Sequence, residues 1–330
     1  MNVELTGAAA LQSATSGNSG VVSFNVFQAG QYTIAPQEDI NPLNGVSTYD
    51  LLLMQKHLLG IKSLTSPYKL IAADVNNNCN ISISDIIELR KLILAPNGAN
   101  FSNNTSWRFV DGGPTFPNPD KPCNFMETKM FDVQGSGLNN ASFVAVKIRR
   151  RSGDHTPNSL LGTETRNSVG TLTFGIADQQ LVAGQYTVAI TAENFTGVQG
   201  YQYDGVASDM VEFVDVTANW SDLSASNFGR ALVAEGTLTT SWNGAEPTLA
   251  DGEVLYTVTF RAVANGQLSQ ALKVNSRVTV AEAYDANEET CWMSSSVSTG
   301  GLVIGGGFEL SERAEPIPRC YGYRIQSARS

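Results

Sequence analysis

The chain has 330 residues, 42% hydrophobic but only 16% charged, with a formal net charge of −10 and a pI near 4.7. That length suggests roughly two or three domains with real cores, and the wealth of Gly, Ser, Thr and Asn is that of a β-rich extracellular protein. The acidity leaves no basic groove for nucleic acid, no apolar run reaches the ~20 residues of a membrane span, and MNVELTGAAALQ lacks the basic start and apolar core of a signal peptide.

Residues 1–36 read as short strands. VELTG, VVSFNVF and QYTIAP are β-type runs separated by SGNSG and QAG turns. This order resembles the second half of a small CnaB-like or carboxypeptidase-regulatory-like β-sandwich. The resemblance implies a partial domain that lacks its upstream strands, with an open sheet edge that invites another chain.

Residues 37–100 hold an internal repeat. Asp39-Ile40-Asn41-Pro42-Leu43-Asn44-Gly45-Val46-Ser47-Thr48-Tyr49-Asp50 leads into LLLMQKHLLG. Asp74-Val75-Asn76-Asn77-Asn78-Cys79-Asn80-Ile81-Ser82-Ile83-Ser84-Asp85 leads into IIELRKLILA. The offset is 35 residues, and a fixed period running from loop into helix marks a duplicated unit. Each loop has twelve residues with oxygen donors at alternating positions, which suits a hard cation that takes roughly six to eight oxygens. In the second loop Asp74, Asn76, Asn78 and Asp85 fall at positions 1, 3, 5 and 12; Asn80 offers its carbonyl from position 7, and Ile81 packs beneath. In the first, Asp39, Asn41 and Asp50 fall at positions 1, 3 and 12, Gly45 offers the carbonyl at position 7 and Ser47 lies at position 9. Leu43 removes the ligand at position 5, so the first loop is expected to bind more weakly. The alternative reading is two Asn-rich turns that merely start helices, with Asp50 and Asp85 as N-caps.

The repeat resembles the type I dockerin module, whose duplicated loops close with Asp. The resemblance implies a small helix pair, Ca2+ as the cofactor, and partner contacts from loop positions 10 and 11, which here are Thr48, Tyr49, Ile83 and Ser84. Position 6 departs from the usual Gly: it is Asn44 or Cys79, which makes the sharp turn costlier. His57 aligns with Leu92 and reads as a packed or rim residue.

Residues 101–168 read as an extended wrap and linker. FSNNTSWRFVDGGPTFPNPDKP carries Trp107, Phe109 and Phe116 among prolines, FVAVKI is one strand, and the polar 149–168 is the expected boundary. The phrase running from SPYKLIAADVNNN to FPNP resembles a block found in secreted multi-domain surface proteins of the Bacteroidetes.

Residues 169–306 alternate apolar and polar at β-sandwich spacing. AGQYTVAITAENFTGVQGYQY, GTLTTSWNG and DGEVLYTVTFRAV resemble the cohesin-like fold, which implies a nine-stranded jelly-roll sandwich. YQYDGVASDMVEF is short and irregular for the hairpin that this fold requires. The tail, residues 307–330, starts with GFEL like the join to a type IX secretion sorting domain and then reads as an extended end. The four cysteines, Cys79, Cys123, Cys291 and Cys320, have no zinc spacing. One or two disulfides fit them, Cys291 with Cys320 among the options, but sequence does not pair them.

The expected fold is therefore mostly β and multi-domain: a partial CnaB-like sandwich, a dockerin-like helix pair and a cohesin-like jelly roll. No P-loop, nucleophile elbow or zincin motif is present. Glu193, Glu212, Glu253 and Glu282 lie on β-runs, where acids are usually strand-face residues, so no enzyme is expected. The expectation is a secreted, calcium-stabilised assembly protein of the cell surface or matrix, polymerising head to tail or by strand donation. Its partner would be itself or another surface protein. A non-catalytic binding region for carbohydrate or protein, within a larger secreted enzyme or adhesin, is the alternative.

Overall fold

The structure is a computed structural model, and it describes residues 1–8, 10–17, 19–43, 45–95, 100–113, 116–134, 138–148, 168–244, 249–275, 277–285, 290–298, 303–304 and 320–327. It is mostly β, with several sheets and few helices. The expected hinge over 149–168 lies outside the described residues except at Ser168.

The chain opens with β1 (Asn2–Gly7), β2 (Gln12–Thr15), β3 (Val22–Val26) and β4 (Gly30–Gln37). Period-two patterning explains them: Val22, Phe24 and Val26 are buried while Ser23 and Asn25 face water. At Gly7, φ is +151° and a Cβ would stand 2.1 Å from the Gln31 carbonyl oxygen, so only glycine lets β1 and β4 approach there.

The chain next leaves the sheet for α1 (Thr48–Leu58), α2 (Pro67–Ala73) and α3 (Ile83–Leu94), then returns as β5 (Trp107–Asp111), β6 (Lys129–Val133) and β7 (Leu138–Lys147). β6 pairs with β4, completing the sheet β2-β1-β4-β6, while β5 pairs with β7. The strands expected to be missing upstream are thus supplied from downstream, and the segment expected as an extended wrap with one strand at FVAVKI also contains β5 and β6. The physical reason is burial: Phe109, Val133, Ala141 and Phe143 close one core with Val3, Leu5, Tyr32 and Ile34. The helical repeat is an insertion between β4 and β5 of this small sandwich.

The larger sandwich follows. Its strands are β8 (Ser168–Ala177), β9 (Gln180–Leu181), β10 (Gly184–Glu193), β11 (Val198–Ala207), β12 (Val211–Ala218), β13 (Phe228–Gly229), β14 (Thr237–Asn243), β15 (Val254–Ala262) and β16 (Gly266–Gln267). After the short α4 (Leu268–Ala271) come β17 (Leu272–Asn275), β18 (Glu282–Asp285), β19 (Thr290–Ser298) and β20 (Val303–Ile304). The main sheet runs β12-β15-β10-β8-β19-β18-β11-β14-β13, with β17 and β20 branching from it. It encloses an aromatic core of Phe174, Phe195, Tyr201, Tyr203, Trp220, Trp242 and Phe260. The segment that looked irregular, YQYDGVASDMVEF, forms β11 and β12. Alternation fails in β11 because Val198–Asp204 is buried throughout, as in a strand covered on both faces.

The last strand, β21 (Cys320–Ser327), returns to the small sandwich. It lies between β3 and β7, parallel to β3 and antiparallel to β7, and completes the sheet β3-β21-β7-β5. Part of the tail expected to be extended is therefore a central strand, and 307–319 lies outside the described residues.

The helical repeat sits between the two sandwiches. Ile71 and Ala72 of α2 pack against Val110, Val144 and Val146 on the outer face of β5 and β7. α1 and α3 share Leu51, Met54, Ile86, Leu89, Leu92 and Ile93 with Phe101 and Ile148. Among the described residues, no helix is long and apolar enough to cross a membrane.

Candidate metal centre and helix–sandwich interface

Both repeat helices start on the same device. Ser47 and Ser82 are the N-caps, and Asp50 and Asp85, at N3, accept the cap N–H at 3.0 and 2.9 Å. This is a capping box. It corrects the alternative reading of Asp50 and Asp85 as the N-caps themselves: the acids lie inside the first turn.

The second loop closes on its carboxylates. Asp74 accepts the N–H of Asn78 at 2.9 Å and of Cys79 at 2.8 Å. Asp85 is fully buried, and its Oδ1 accepts the N–H groups of Val75 and Asn76 at 2.8 and 3.1 Å. Asn78 Oδ1 accepts the Asn80 N–H at 2.9 Å. Asn76 Nδ2 donates to Ser84 Oγ, while Asn76 Oδ1 is buried with no hydrogen-bond partner. Backbone strain is taken at Asn77 (φ +56°) and at Cys79 (φ +66°), the place where Gly is usual.

Burial pushes the Asp74 carboxyl above its ordinary range, and the nearby Asp85 charge adds to this, against the Asn78 and Cys79 N–H groups and Arg108, which lower it. Two carboxylates whose charges act on each other, beside an orphaned amide oxygen, could serve a hard dication. Among the described residues no three His, Cys, Asp or Glu side chains cluster as a metal centre. The remaining donors of this loop are amide and carbonyl oxygens, which suit calcium and not zinc.

The first loop is built differently. Its left-handed residues are Asn41 (φ +51°) and Gly45 (φ +73°), and Asn44 lies outside the described residues. Asp39 Oδ1 accepts the Ser106 N–H at 2.8 Å. Lys147 on β7 is buried and donates from Nζ to the Pro42 carbonyl at 2.9 Å, with its ammonium 5.9 Å from the Phe101 ring centroid and 5.8 Å from that of Trp107. An ammonium is therefore already seated on a carbonyl of this loop.

Sequence reasoning missed the residues that brace the second loop from outside. Asn104 Nδ2 donates to the Asp74 and Val75 carbonyls, and Asn103 Nδ2 to that of Asn76. Arg108 reaches Asn77 Oδ1 at 2.6 Å while forming a two-pronged pair with Glu127. Their signal was the NNTSWRF phrase, which carried no spacing that pointed at the loop. A cavity of about 200 Å3 opens here, lined by Asp74, Cys79, Asn80, Arg108 and Cys123 among others. His57, also on its lining, accepts the Leu64 N–H at Nδ1.

The four residues expected at a partner surface separate into two pairs. Thr48 is fully buried against the larger sandwich: its N–H donates to Gln202 Oε1 at 2.7 Å, and its Oγ1 is 2.6 Å from Ser241 Oγ. Tyr49 packs on Tyr284 with ring centroids 5.0 Å apart. Ile83, in contrast, is 68% exposed, and Ser84 faces water with its Oγ on Ser82 and Asn76.

Further contacts extend the same face. Asn243 donates to Gln55 Oε1 at 2.7 Å and accepts from Arg90. Burial holds the Arg90 guanidinium below its ordinary range. At the far end of α3, Thr239 Oγ1 donates to the Leu94 carbonyl at 2.6 Å and Thr279 Oγ1 to that of Ile93 at 3.4 Å. Gly229 lies under this end, where a Cβ would stand 2.0 Å from the Leu94 oxygen. Of the strand acids, Glu212 pairs with Arg261 on an exposed face and Glu253 accepts the Ala250 N–H, both surface roles.

Residues 37–98 match the family model of the dockerin type I domain. No curated protein matches the chain in sequence. Among solved structures, the chain is similar to a non-cellulosomal cohesin from the hyperthermophilic archaeon Archaeoglobus fulgidus, at 14% identity over 48% of this chain and 93% of that one, with a TM-score of 0.28. It is similar to the third cohesin ScaC in complex with the ScaB dockerin from Acetivibrio cellulolyticus, at 14% identity over 47% and 98%, with a TM-score of 0.29. A type II cohesin domain from the cellulosome of the same organism matches at 15% identity over 41% and 95%, also with a TM-score of 0.29.

Proposed function

We propose that this chain is a calcium-stabilised, non-catalytic assembly protein of the extracellular space. Its helical repeat and its larger sandwich are the two halves of a recognition pair. The supporting observation is the interface itself: Thr48, fully buried, spends both its N–H and its hydroxyl on Gln202 and Ser241 of the sandwich. Paired polar groups of this kind specify register, because each would be left unsatisfied by a misaligned partner.

Calcium would be held by Asp74, Asn76, Asn78, Asp85 and the Asn80 carbonyl, where it would fix the second loop to the start of α3. Asp39, Asn41, Gly45 and Asp50 would form a weaker site, since Lys147 competes for the first loop.

Within one chain the pair is closed. Between chains the same contact, made by the repeat of one copy on the sandwich of the next, is heterologous and propagates head to tail. Ile83 and Ser84 offer a second, open surface on the repeat for another surface protein. The strand β21 supplies an independent route, in which the tail of one copy completes the small sandwich of another.

The test is light scattering and electron microscopy of the full chain at rising concentration, with calcium and with chelator. Calcium-dependent growth beyond the monomer mass, reduced by Gly229→Ala, is the expected result. A monomer at every concentration would rule out self-assembly. Capture of a soluble glycan by that monomer would favour the alternative, a binding region of a larger secreted enzyme or adhesin.

A further inference from the structure

We infer that Cys79 and Cys123 form a disulfide that staples the second calcium loop to the β5–β6 connection. The two residues are 44 positions apart, and the fold brings them together: Cys123 Sγ donates to the Cys79 carbonyl at 3.4 Å. Both are half-buried and line the same cavity beside Asp74 and Asn80.

The approach is held on both sides. Cys79 is fixed by its N–H on Asp74 Oδ2 at 2.8 Å and by its left-handed backbone. Cys123 sits in a turn closed by its N–H on the Lys121 carbonyl at 2.9 Å and by the Lys121 N–H on Asn118. Just beyond it, Phe125 lies under the Arg108 guanidinium at 5.0 Å, and Arg108 also holds Asn77 of the loop. With the Cys123 sulfur on the Cys79 backbone and its thiol interacting with that of Cys79, two independently braced segments place the pair where a bond can form. Burial first, and then the Cys79 thiol, push the Cys123 thiol up to about 11. Little of it is thiolate near neutrality, so exchange is slow without a catalyst or mild base.

The step is a thiol–disulfide exchange. Cys79 and Cys123 each lose a proton to solvent, their sulfurs join, and the two electrons released reduce one external disulfide to two thiols. The oxidant is any low-molecular-weight or protein disulfide of an oxidising compartment. The inference is independent of whether the chain assembles.

The experiment uses the full chain, incubated folded with oxidised glutathione at mildly alkaline pH. It is alkylated, digested without reductant and mapped by mass spectrometry. The expected product is a peptide carrying Cys79 joined to one carrying Cys123, converted to two free peptides by reductant. The joined peptide should be absent in Cys123→Ser, a half-buried near-isostere whose folding is checked by circular dichroism. If Cys79 and Cys123 are both alkylated after full oxidation, or if either is joined to Cys291, Cys320 or another chain, the assignment is overturned.

Discussion

Thr48 Oγ1 and Ser241 Oγ, 193 residues apart in the chain, lie 2.6 Å from each other at the buried start of α1. The same threonine passes its backbone N–H, one of the orphan donors of a helix N-terminus, to Gln202. Close by on the same sandwich, Thr239, two residues before Ser241 on β14, and Thr279 cap the last carbonyls of α3. The larger sandwich therefore completes helix termini that solvent would otherwise satisfy. That is why the repeat docks by its helix ends and polar face, with Leu51, Leu89 and Ile93 kept for its own core.

The tightest point of this contact is Gly229. A methyl group there meets the Leu94 carbonyl oxygen at 2.0 Å and Thr239 Oγ1 at 2.2 Å. Gly229→Ala should push α3 off the sheet and cost about 1–3 kcal/mol, the usual range for overpacking. Urea unfolding gives the magnitude. Hydrogen exchange should show lost protection at α1 and the end of α3, with the interior of β15 unchanged. Wild-type protection at α1 in the variant would sink the claim that these contacts hold the repeat in place.

Calcium affinity should weaken as pH falls. Burial raises the Asp74 carboxyl above its ordinary value of 3.8, so the calcium-free fold holds this proton more tightly than the unfolded chain does. In that state the stability contributed by this group is complete below the unfolded value and is lost as pH rises through the folded one. Bound calcium would favour the ionised carboxylate, so binding would release protons in that window. Calorimetry between about pH 7 and about pH 4 should show falling affinity as protons compete. Asp74→Ala should lose the site outright, and an affinity independent of pH would contradict the role of Asp74.

How much of this could be read in advance depends on the range of the signal. The loops were legible because a capping serine, two acids and an apolar helix face recur at a fixed offset within one local unit. The larger sandwich was legible from alternation, except at β11, where burial of Val198–Asp204 erases the period. The small sandwich was misread as partial because its strands straddle the helical insertion, and no local pattern in 1–36 announces that Phe109, Val133 and Phe143 will close its core. Lys147 was invisible for the same reason. Nothing around FVAVKI says that its last lysine points at a carbonyl 105 residues earlier.

Lys147 yields a third prediction. Its ammonium is buried, donates to the Pro42 carbonyl and lies over Phe101 and Trp107. Lys147→Met keeps most of the apolar stem and removes the charge-assisted hydrogen bond, which is worth about 1.5–3 kcal/mol. The loss should be nearly the same in calcium and in chelator, because the ion would bind mainly in the second loop and only weakly in the first, which the lysine serves. A variant whose full stability returns on adding calcium would show instead that ion and lysine are interchangeable in the first loop.

The final prediction concerns β21. Among the described residues β3 pairs with no strand except β21, which joins it to β7 through registers Tyr323↔Val22 to Ser327↔Val26 on one side and Cys320↔Val144 to Gln326↔Leu138 on the other. Removing residues 320–327 opens the sheet and leaves two rows of backbone N–H and C=O groups unpaired, a state that recruits any complementary strand. The truncated chain should therefore lose hydrogen-exchange protection at β3 and β7 while β10 and β15 keep theirs. A synthetic peptide of sequence CYGYRIQS, added in excess, should restore it, because main-chain pairing supplies the affinity and alternate side chains the register. If the truncated chain protects β3 as well as the full chain does, the tail is dispensable to the sheet, and strand donation between copies loses its basis.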